Sequence, residues 1–239
     1  MNIKKIRNAL PGTHYAPYWD FSVGVSQWEE FEKIDKIRTW LIDHEEEFLK
    51  KYPLMHDGNT GLGEYSVTSR FGQYNLFDFA DQVPELNDLK KFLQLSYLDF
   101  VTVDHTPITD LHIVCWFNIL SKGQEIKEHL HNSNFDAYLS GNMHLDNYKT
   151  VTNYKCPFEI GKSHPVDNIK GGFTLFPSCL MHWADKHEED CKRVSIAFDL
   201  RPGVTQDDAI KNLNARPFMS KEIWEALMAE MQPMFNLER

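Results

Sequence analysis

Of the eleven histidines in this chain, His129, His131 and His182 stand in a pattern with a chemical reason. His129-Leu130-His131 lies in a strand-like piece. On a strand, residues i and i+2 point to one face, so two imidazoles can be presented to one point. His182 closes the stretch Phe176-Pro177-Ser178-Cys179-Leu180-Met181-His182 and comes from another strand region. Three such ligands form a facial set that leaves positions on a metal open for a substrate and an oxidant. Arg193 opens the apolar run Val194-Ser195-Ile196-Ala197-Phe198 and offers a planar fork suited to a carboxylate. Together these side chains outline a metal centre that binds an oxo acid beside an oxidant.

Holding them in place requires strands. The stretch 111–120 is a strand-like apolar run, and strand-like pieces recur near 127–131, 137–146, 148–154, 171–176 and 193–199. Lys122-Gly123 and Lys170-Gly171-Gly172 mark turns, and Arg201-Pro202-Gly203 ends the region. Many short strands at this spacing predict a sandwich or jelly roll. Residues 1–24 read as an extended arm over the core that, with the loop at 54–75, covers the mouth of the cavity. Ser26-x-x-Glu29 has the form of a capping box. After it, Trp28, Phe31, Ile34, Ile37, Leu41 and Phe48 recur near helical period, predicting a helix over 27–51. Residues 68–79 read as a strand or turn pair, and 85–95 as a second helix. Residues 205–214 and 220–231 also read as helical, the latter with Ile223, Trp224, Leu227, Met228 and Met231 on one face. The expected architecture is mainly β with helical flanks, in one domain over 1–239: an arm and helices at 1–100, a core at 101–201 and helices at 202–239.

Composition excludes several function classes. The chain has 239 residues, 42% of them hydrophobic and 25% charged, which suits a packed core rather than disorder. A net charge of −10 argues against non-specific nucleic-acid binding and weakly favours a neutral or cationic substrate. Cys115, Cys156, Cys179 and Cys191 form no C-x-x-C, so a zinc ribbon or thioredoxin-like site is unsupported. No stretch of about 18 apolar residues predicts a membrane span, and residues 1–18 carry no secretory signal pattern. Free thiols fit a cytoplasmic protein. No G-x-S-x-G, P-loop or G-x-G-x-x-G is present. Glu45-Glu46-Glu47 and Glu188-Glu189-Asp190 read as solvated faces. Arg70 suits a structural ion pair or a substrate carboxylate, and His105 or His112 could line a substrate pocket.

The motifs also carry a family resemblance. Trp116-Phe117-Asn118-Ile119-Leu120-Ser121-Lys122-Gly123, His129-x-His131, Leu139-Ser140-Gly141, Gly172-Phe173-Thr174-Leu175-Phe176-Pro177-Ser178, His182 and Arg193-Val194-Ser195-Ile196-Ala197-Phe198 resemble the core of the Fe(II)/2-oxoglutarate-dependent oxygenases. The similarity is greatest to oxygenases of phage and bacterial type, with an H-x-H before L-S-G and an L-F-P-S-x-L-x-H before R-x-S. A more distant one links 129–146 with the H-x-D to Y-L-N stretch of prolyl hydroxylases. The resemblance covers about residues 111–200. It implies a double-stranded β-helix (jelly roll, cupin-like), Fe(II) and 2-oxoglutarate as cofactors, and hydroxylation of a small-molecule or peptide substrate. It implies His129 and His182 as iron ligands and Arg193, helped by Ser195, as the partner of the far carboxylate of 2-oxoglutarate. His144 falls where a prolyl-hydroxylase tyrosine contacts that cosubstrate, and Asn118, on the entering strand, suits either a contact to it or packing.

One departure matters. The family's second ligand is a carboxylate two residues after the first histidine, and here that residue is His131. Three arrangements are compatible with the sequence: a three-histidine site, Asp136 reaching back as the carboxylate, or His129 binding with His131 behind it. The first is the expected one. His144-Leu145-Asp146 is a literal H-x-D, but the span from there to His182 is tight for four strands and their turns, whereas the span from His129 is comfortable. Two rival functions remain: a three-histidine jelly-roll metalloenzyme without 2-oxoglutarate, and a non-catalytic jelly-roll binding protein.

Overall fold

Among the described residues, eleven strands in two antiparallel sheets make the body of the protein. The computed structural model describes residues 1–53, 56–102, 107–133, 137–157, 159, 161–203 and 214–235. The strands are β1 (Asn2–Arg7), β2 (Asp20–Gln27), β3 (Leu111–Leu120), β4 (Ile126–His129), β5 (Leu139–His144), β6 (Val151–Lys155), β7 (His164–Asp167), β8 (Gly172–Pro177), β9 (Met181–Ala184), β10 (Arg193–Pro202) and β11 (Arg216–Met219). The large sheet runs β1-β2-β8-β5-β10-β3-β11 and the small one β4-β9-β6-β7. From β3 to β10 the chain passes back and forth between the sheets, broken only by the β6–β7 hairpin. That winding is the double-stranded β-helix, a jelly roll.

Period-two alternation on the central strands separates core from cavity. On β10, Val194, Ile196, Phe198 and Leu200 belong to the main hydrophobic core. Arg193, Ser195, Ala197, Asp199 and Arg201 line a cavity instead. On β3, Phe117 packs edge-on to Phe48 while Trp116 and Asn118 line the cavity. All of β3 is buried because both of its faces are covered.

Two helices cover the outer face, α1 (Phe31–Lys51) and α2 (Glu85–Val101), and α3 (Lys221–Phe235) adds Leu227 to the same core. Helix α1 buries Ile34, Ile37, Leu41 and Phe48, the predicted stripe. Its start differs from the capping-box expectation. Ser26 lies in β2, paired with Phe173, and the helix begins after Glu30 without a side-chain cap. The sheet ladder has claimed the serine that a free chain would spend on a cap. Of the strand or turn pair expected over 68–79, the structure has the turns: two single-turn 3-10 helices, Val67–Arg70 and Leu76–Phe79, capped by the Ser66 and Asn75 side chains. Helix α2 runs past residue 95 because Tyr97, Leu98 and Val101 continue its buried face.

Residues 1–24, expected as an extended arm over the core, instead pair into the large sheet. Strands β1 and β2 form a hairpin that extends the large sheet beyond β8, and Ile6 and Val23 join Tyr154, Phe176 and Leu180 in a second apolar cluster. Strands β7, β9 and β11 are short and carry no periodicity long enough to announce them. The 205–214 helix expectation falls almost wholly outside the described residues. No helix among the described residues is long and apolar enough to cross a membrane.

Candidate metal centre

His129 ends β4, and His182 on β9 stands opposite it in register. Their ring centroids are 4.3 Å apart. His131 lies past the end of β4, so strand alternation alone does not place it. The turn after β8 does: the backbone N–H groups of His131 and Asn132 both donate to the Ser178 carbonyl, at 3.0 and 3.1 Å. The His131 ring then sits 4.9 Å from that of His182 and 5.5 Å from that of His129. One ligand nitrogen from each ring lies within 4.8 Å of the other two.

Hydrogen bonds decide which nitrogens these are. Nδ1 of His129 faces the Lys127 carbonyl at 2.7 Å, Nδ1 of His182 the Leu180 carbonyl at 3.0 Å, and Nδ1 of His131 the Asp199 carboxylate at 2.6 Å. Carbonyl and carboxylate oxygens only accept, so each Nδ1 donates and each Nε2 keeps its lone pair. Three Nε2 lone pairs are thereby left for one cation, in the tautomer that metal-bound histidines adopt. Burial, reinforced by the neighbouring imidazoles, pushes His129 down to about 4 and His182 well below the ordinary histidine value. Both rings are therefore neutral, as a ligand must be.

Asp199 is the acid behind this set. It is buried on β10, and its Oδ1 accepts from both His131 and the Ser140 hydroxyl, at 2.6 and 2.7 Å. Burial raises an isolated carboxyl, but the neighbouring His131 ring and its hydrogen bond, with Arg201 and Ser140, outweigh it and hold Asp199 below its ordinary value. The spacing argument does not reach Asp199, because its link to His131 runs through tertiary structure. One signal was available: the inward alternation Arg193, Ser195, Ala197 continues through it.

Arg193 faces the same cavity from the same strand. Its side chain is 1% exposed, its Nε has no partner, and its described hydrogen bond is one 3.3 Å contact from Nη1 to the Asp185 carbonyl. No carboxylate pairs with it among the described residues. Burial lowers it to about 10, which still leaves it charged at neutral pH. A buried cation that no carboxylate contacts is costly to hold. The adjacent row of the sheet is polar. Ser195 is in register with His144 on one side and Asn118 on the other. Asn118 Nδ2 donates to Ser195 Oγ at 3.4 Å and its Oδ1 accepts from Thr68 at 2.8 Å. His144 is buried, and desolvation together with the Arg193 charge holds it well below the ordinary histidine value. The structure thus brings together Arg193, Ser195, His144 and Asn118 at one end of the cavity, and His129, His131 and His182 along its wall.

The cavity measures about 140 Å³. Its outer wall is the loop carrying Asp57, Gly58 and Thr60, with Thr68 and Phe71. That loop is tied to β4 by a hydrogen bond from Lys127 N–H to the Thr60 carbonyl at 2.8 Å, beside His129. Residues 1–24, expected to share this role, line none of it. Asn142, absent from the spacing argument, joins the two sheets. Its Nδ2 contacts the Tyr154 hydroxyl at 3.3 Å and its Oδ1 accepts from Thr174 at 3.0 Å.

The remaining sequence candidates sort as follows. Asp136 and His105 lie outside the described residues. The literal H-x-D is split: His144 faces the cavity, whereas Asp146 is 41% exposed and pairs with Arg38 at 3.4 Å. Arg70 is structural, its Nη1 donating to the Glu64 and Ser66 carbonyls and to Ser69. His112 is buried on β3 and does not reach the cavity wall.

No protein-family model matches the chain, and no curated protein matches it. Solved structures do match. EvdMO1 aligns with a TM-score of 0.53 at 15% identity, over 75% of this chain and 47% of its own. SnoK, described as a non-heme alpha-ketoglutarate-dependent carbocyclase from nogalamycin biosynthesis, gives 0.51 at 12% identity, over 83% of this chain and 88% of its own. HygX from Streptomyces hygroscopicus, with iron bound, gives 0.50 at 12%, over 80% of this chain and 90% of its own. At such identities the likeness is one of fold, and this chain has the jelly-roll fold of those proteins.

Proposed function

We propose that this protein is an Fe(II)/2-oxoglutarate-dependent oxygenase that hydroxylates its substrate. One observation carries the reading: Arg193, a buried arginine that no carboxylate contacts among the described residues, faces the same cavity as three histidine Nε2 lone pairs. A metal-only site has no use for that cation, which weighs against a three-histidine enzyme that needs no oxo acid. It weighs equally against a binding module with incidental histidines. SnoK and HygX, which share the fold, are described with alpha-ketoglutarate dependence and with bound iron, and this agrees with the reading.

The donor set fits the metal. His129, His131 and His182 would hold it with neutral nitrogens, which suit iron(II). Asp199 stands behind His131 and places one negative charge next to a ligand set that has none of its own. Arg193 would receive the distal carboxylate of 2-oxoglutarate. Arg is suited to that place because it stays charged when buried and presents a fork. Ser195 and Asn118, hydrogen-bonded to each other beside it, keep that end of the cavity polar and fix the acid's orientation. Iron(II), when bound, would supply oxygen activation, with the oxo acid as co-reductant. The overall change is balanced: oxygen, 2-oxoglutarate and substrate C–H give succinate, carbon dioxide and substrate C–OH.

The test is a binding experiment on Arg193→Met. The variant is expected to load iron(II) but to bind 2-oxoglutarate at least about 30-fold more weakly than the wild type, the cost of removing one partner of a buried charge pair. Equal affinity in the two proteins would refute the assignment.

A further inference from the structure

We infer that the substrate itself carries a carboxylate, and that Arg201 receives it. This rests on the oxygenase reading and adds the substrate class to it. Arg201 projects from the same face of β10 as Arg193, with Asp199 and its bonded His131 between the two arginines. The oxo acid needs only the metal and Arg193, so it leaves Arg201 to whatever enters from the other end.

Arg201 is not used up by structure. Its described partner is Asp199 Oδ2, at 3.3 Å from one terminal nitrogen. That is longer than the 2.7–2.9 Å of a strong charge-assisted bond. The other oxygen of Asp199 is committed to His131 and Ser140. Nε of Arg201 is buried without a partner, while the side chain as a whole stays 25% exposed on the cavity wall. Arg216 shows what a structural arginine looks like in this molecule. It grips both oxygens of Asp78, each at 2.6 Å. Arg70 spends Nη1 on the Glu64 and Ser66 carbonyls, and although its Nε also lacks a partner it does not line the cavity. Arg201 alone among the three lines the cavity.

Further along the same cavity wall are two aromatic rings. Trp116 and Phe71 pack at a tilt with ring centroids 5.8 Å apart, and Trp116 lies 5.6 Å from the His131 ring. A molecule with a carboxylate on Arg201 and an apolar body against Trp116 would present its carbon skeleton to the histidines. This runs against the chain's overall charge of −10, which on its own favours neutral or cationic partners. Inside the cavity the local cations decide, because the low-dielectric wall strengthens them.

The experiment uses protein loaded to saturation with iron(II) and 2-oxoglutarate and kept free of oxygen. It is titrated calorimetrically with three matched probe pairs: phenylacetate and phenylacetamide, indole-3-acetate and indole-3-acetamide, hexanoate and hexanamide. Saturating 2-oxoglutarate keeps the probes off Arg193. In at least one pair the acid is expected to bind about tenfold or more tightly than its amide. Arg201→Gln should bring that ratio to within about twofold, and Arg201→Lys, which keeps the charge but not the fork, should fall between. The inference is overturned if no probe binds the wild type, if acid and amide bind alike, or if the preference survives in Arg201→Gln. A wild type that does not take up iron(II) or 2-oxoglutarate contradicts the oxygenase reading instead, and shows it before any probe is added.

Discussion

Asp199 sets the character of the site at the scale of single residues. With three neutral histidines as its proposed ligands, a metal here would have no negative charge in its immediate surroundings. A buried carboxylate stands one imidazole further out, 2.6 Å from His131. Such partners orient the ring and raise its basicity. Asp199→Asn keeps the shape and removes the charge. It is expected to weaken iron(II) binding about 10- to 100-fold, read by competition with a chelator under anaerobic conditions. Affinity within about twofold of the wild type would show that the pair is only structural. Two sequence motifs acquire reasons from the same geometry. Ser140 of Leu139-Ser140-Gly141 donates to Asp199, and Ser178 of Phe176-Pro177-Ser178 holds the His131 backbone. The histidines and Arg193 were legible because type and spacing point to them. Asp199 and Arg201 were not, because what they do depends on which strands lie beside β10.

Among the elements, β10 does most to organise the molecule. It pairs with β3 over its full length and with β5 on its other side, so its inward residues face neighbours whose register is fixed from both edges. Gly141 on β5 shows how close that packing is. A Cβ there would lie 2.3 Å from the Phe198 ring and 2.7 Å from the Thr174 carbonyl oxygen. The ring can turn, but the carbonyl belongs to the β8 ladder. Gly141→Ala is expected to cost about 1–3 kcal/mol of stability, seen as a lower denaturant midpoint. An unchanged midpoint would mean that β5 and β8 can separate without penalty. The long elements were readable in advance: β3 and β10 begin as apolar runs, and α1 and the start of α2 carry helical periodicity. Strands β7, β9 and β11, of four residues each, were not. His182 was recognised from its motif, while the strand that aims it was invisible, since four residues hold too little pattern to separate a strand from a loop.

For the whole molecule, two layers divide the work. Helices α1 and α2 and the outer face of the large sheet hold the apolar core, and the space between the sheets is kept for polar chemistry. This is why a strongly acidic chain can keep two arginines on one cavity wall. The jelly roll was legible from strand spacing, but the place of residues 1–24 was not. They read as an arm because prolines and glycine interrupt them, and only the pairing of β2 with β8 shows that they widen the large sheet. In the proposed function, iron(II), held by three histidines, and 2-oxoglutarate, held by Arg193, meet in this cavity. The most direct measurement is an anaerobic titration of the iron(II)-loaded protein with 2-oxoglutarate, followed by visible absorption. The expected result is a metal-to-ligand charge-transfer band that saturates at one equivalent and is lost in His182→Ala. Iron that does not bind, or iron that binds and gives no band with 2-oxoglutarate, would contradict it.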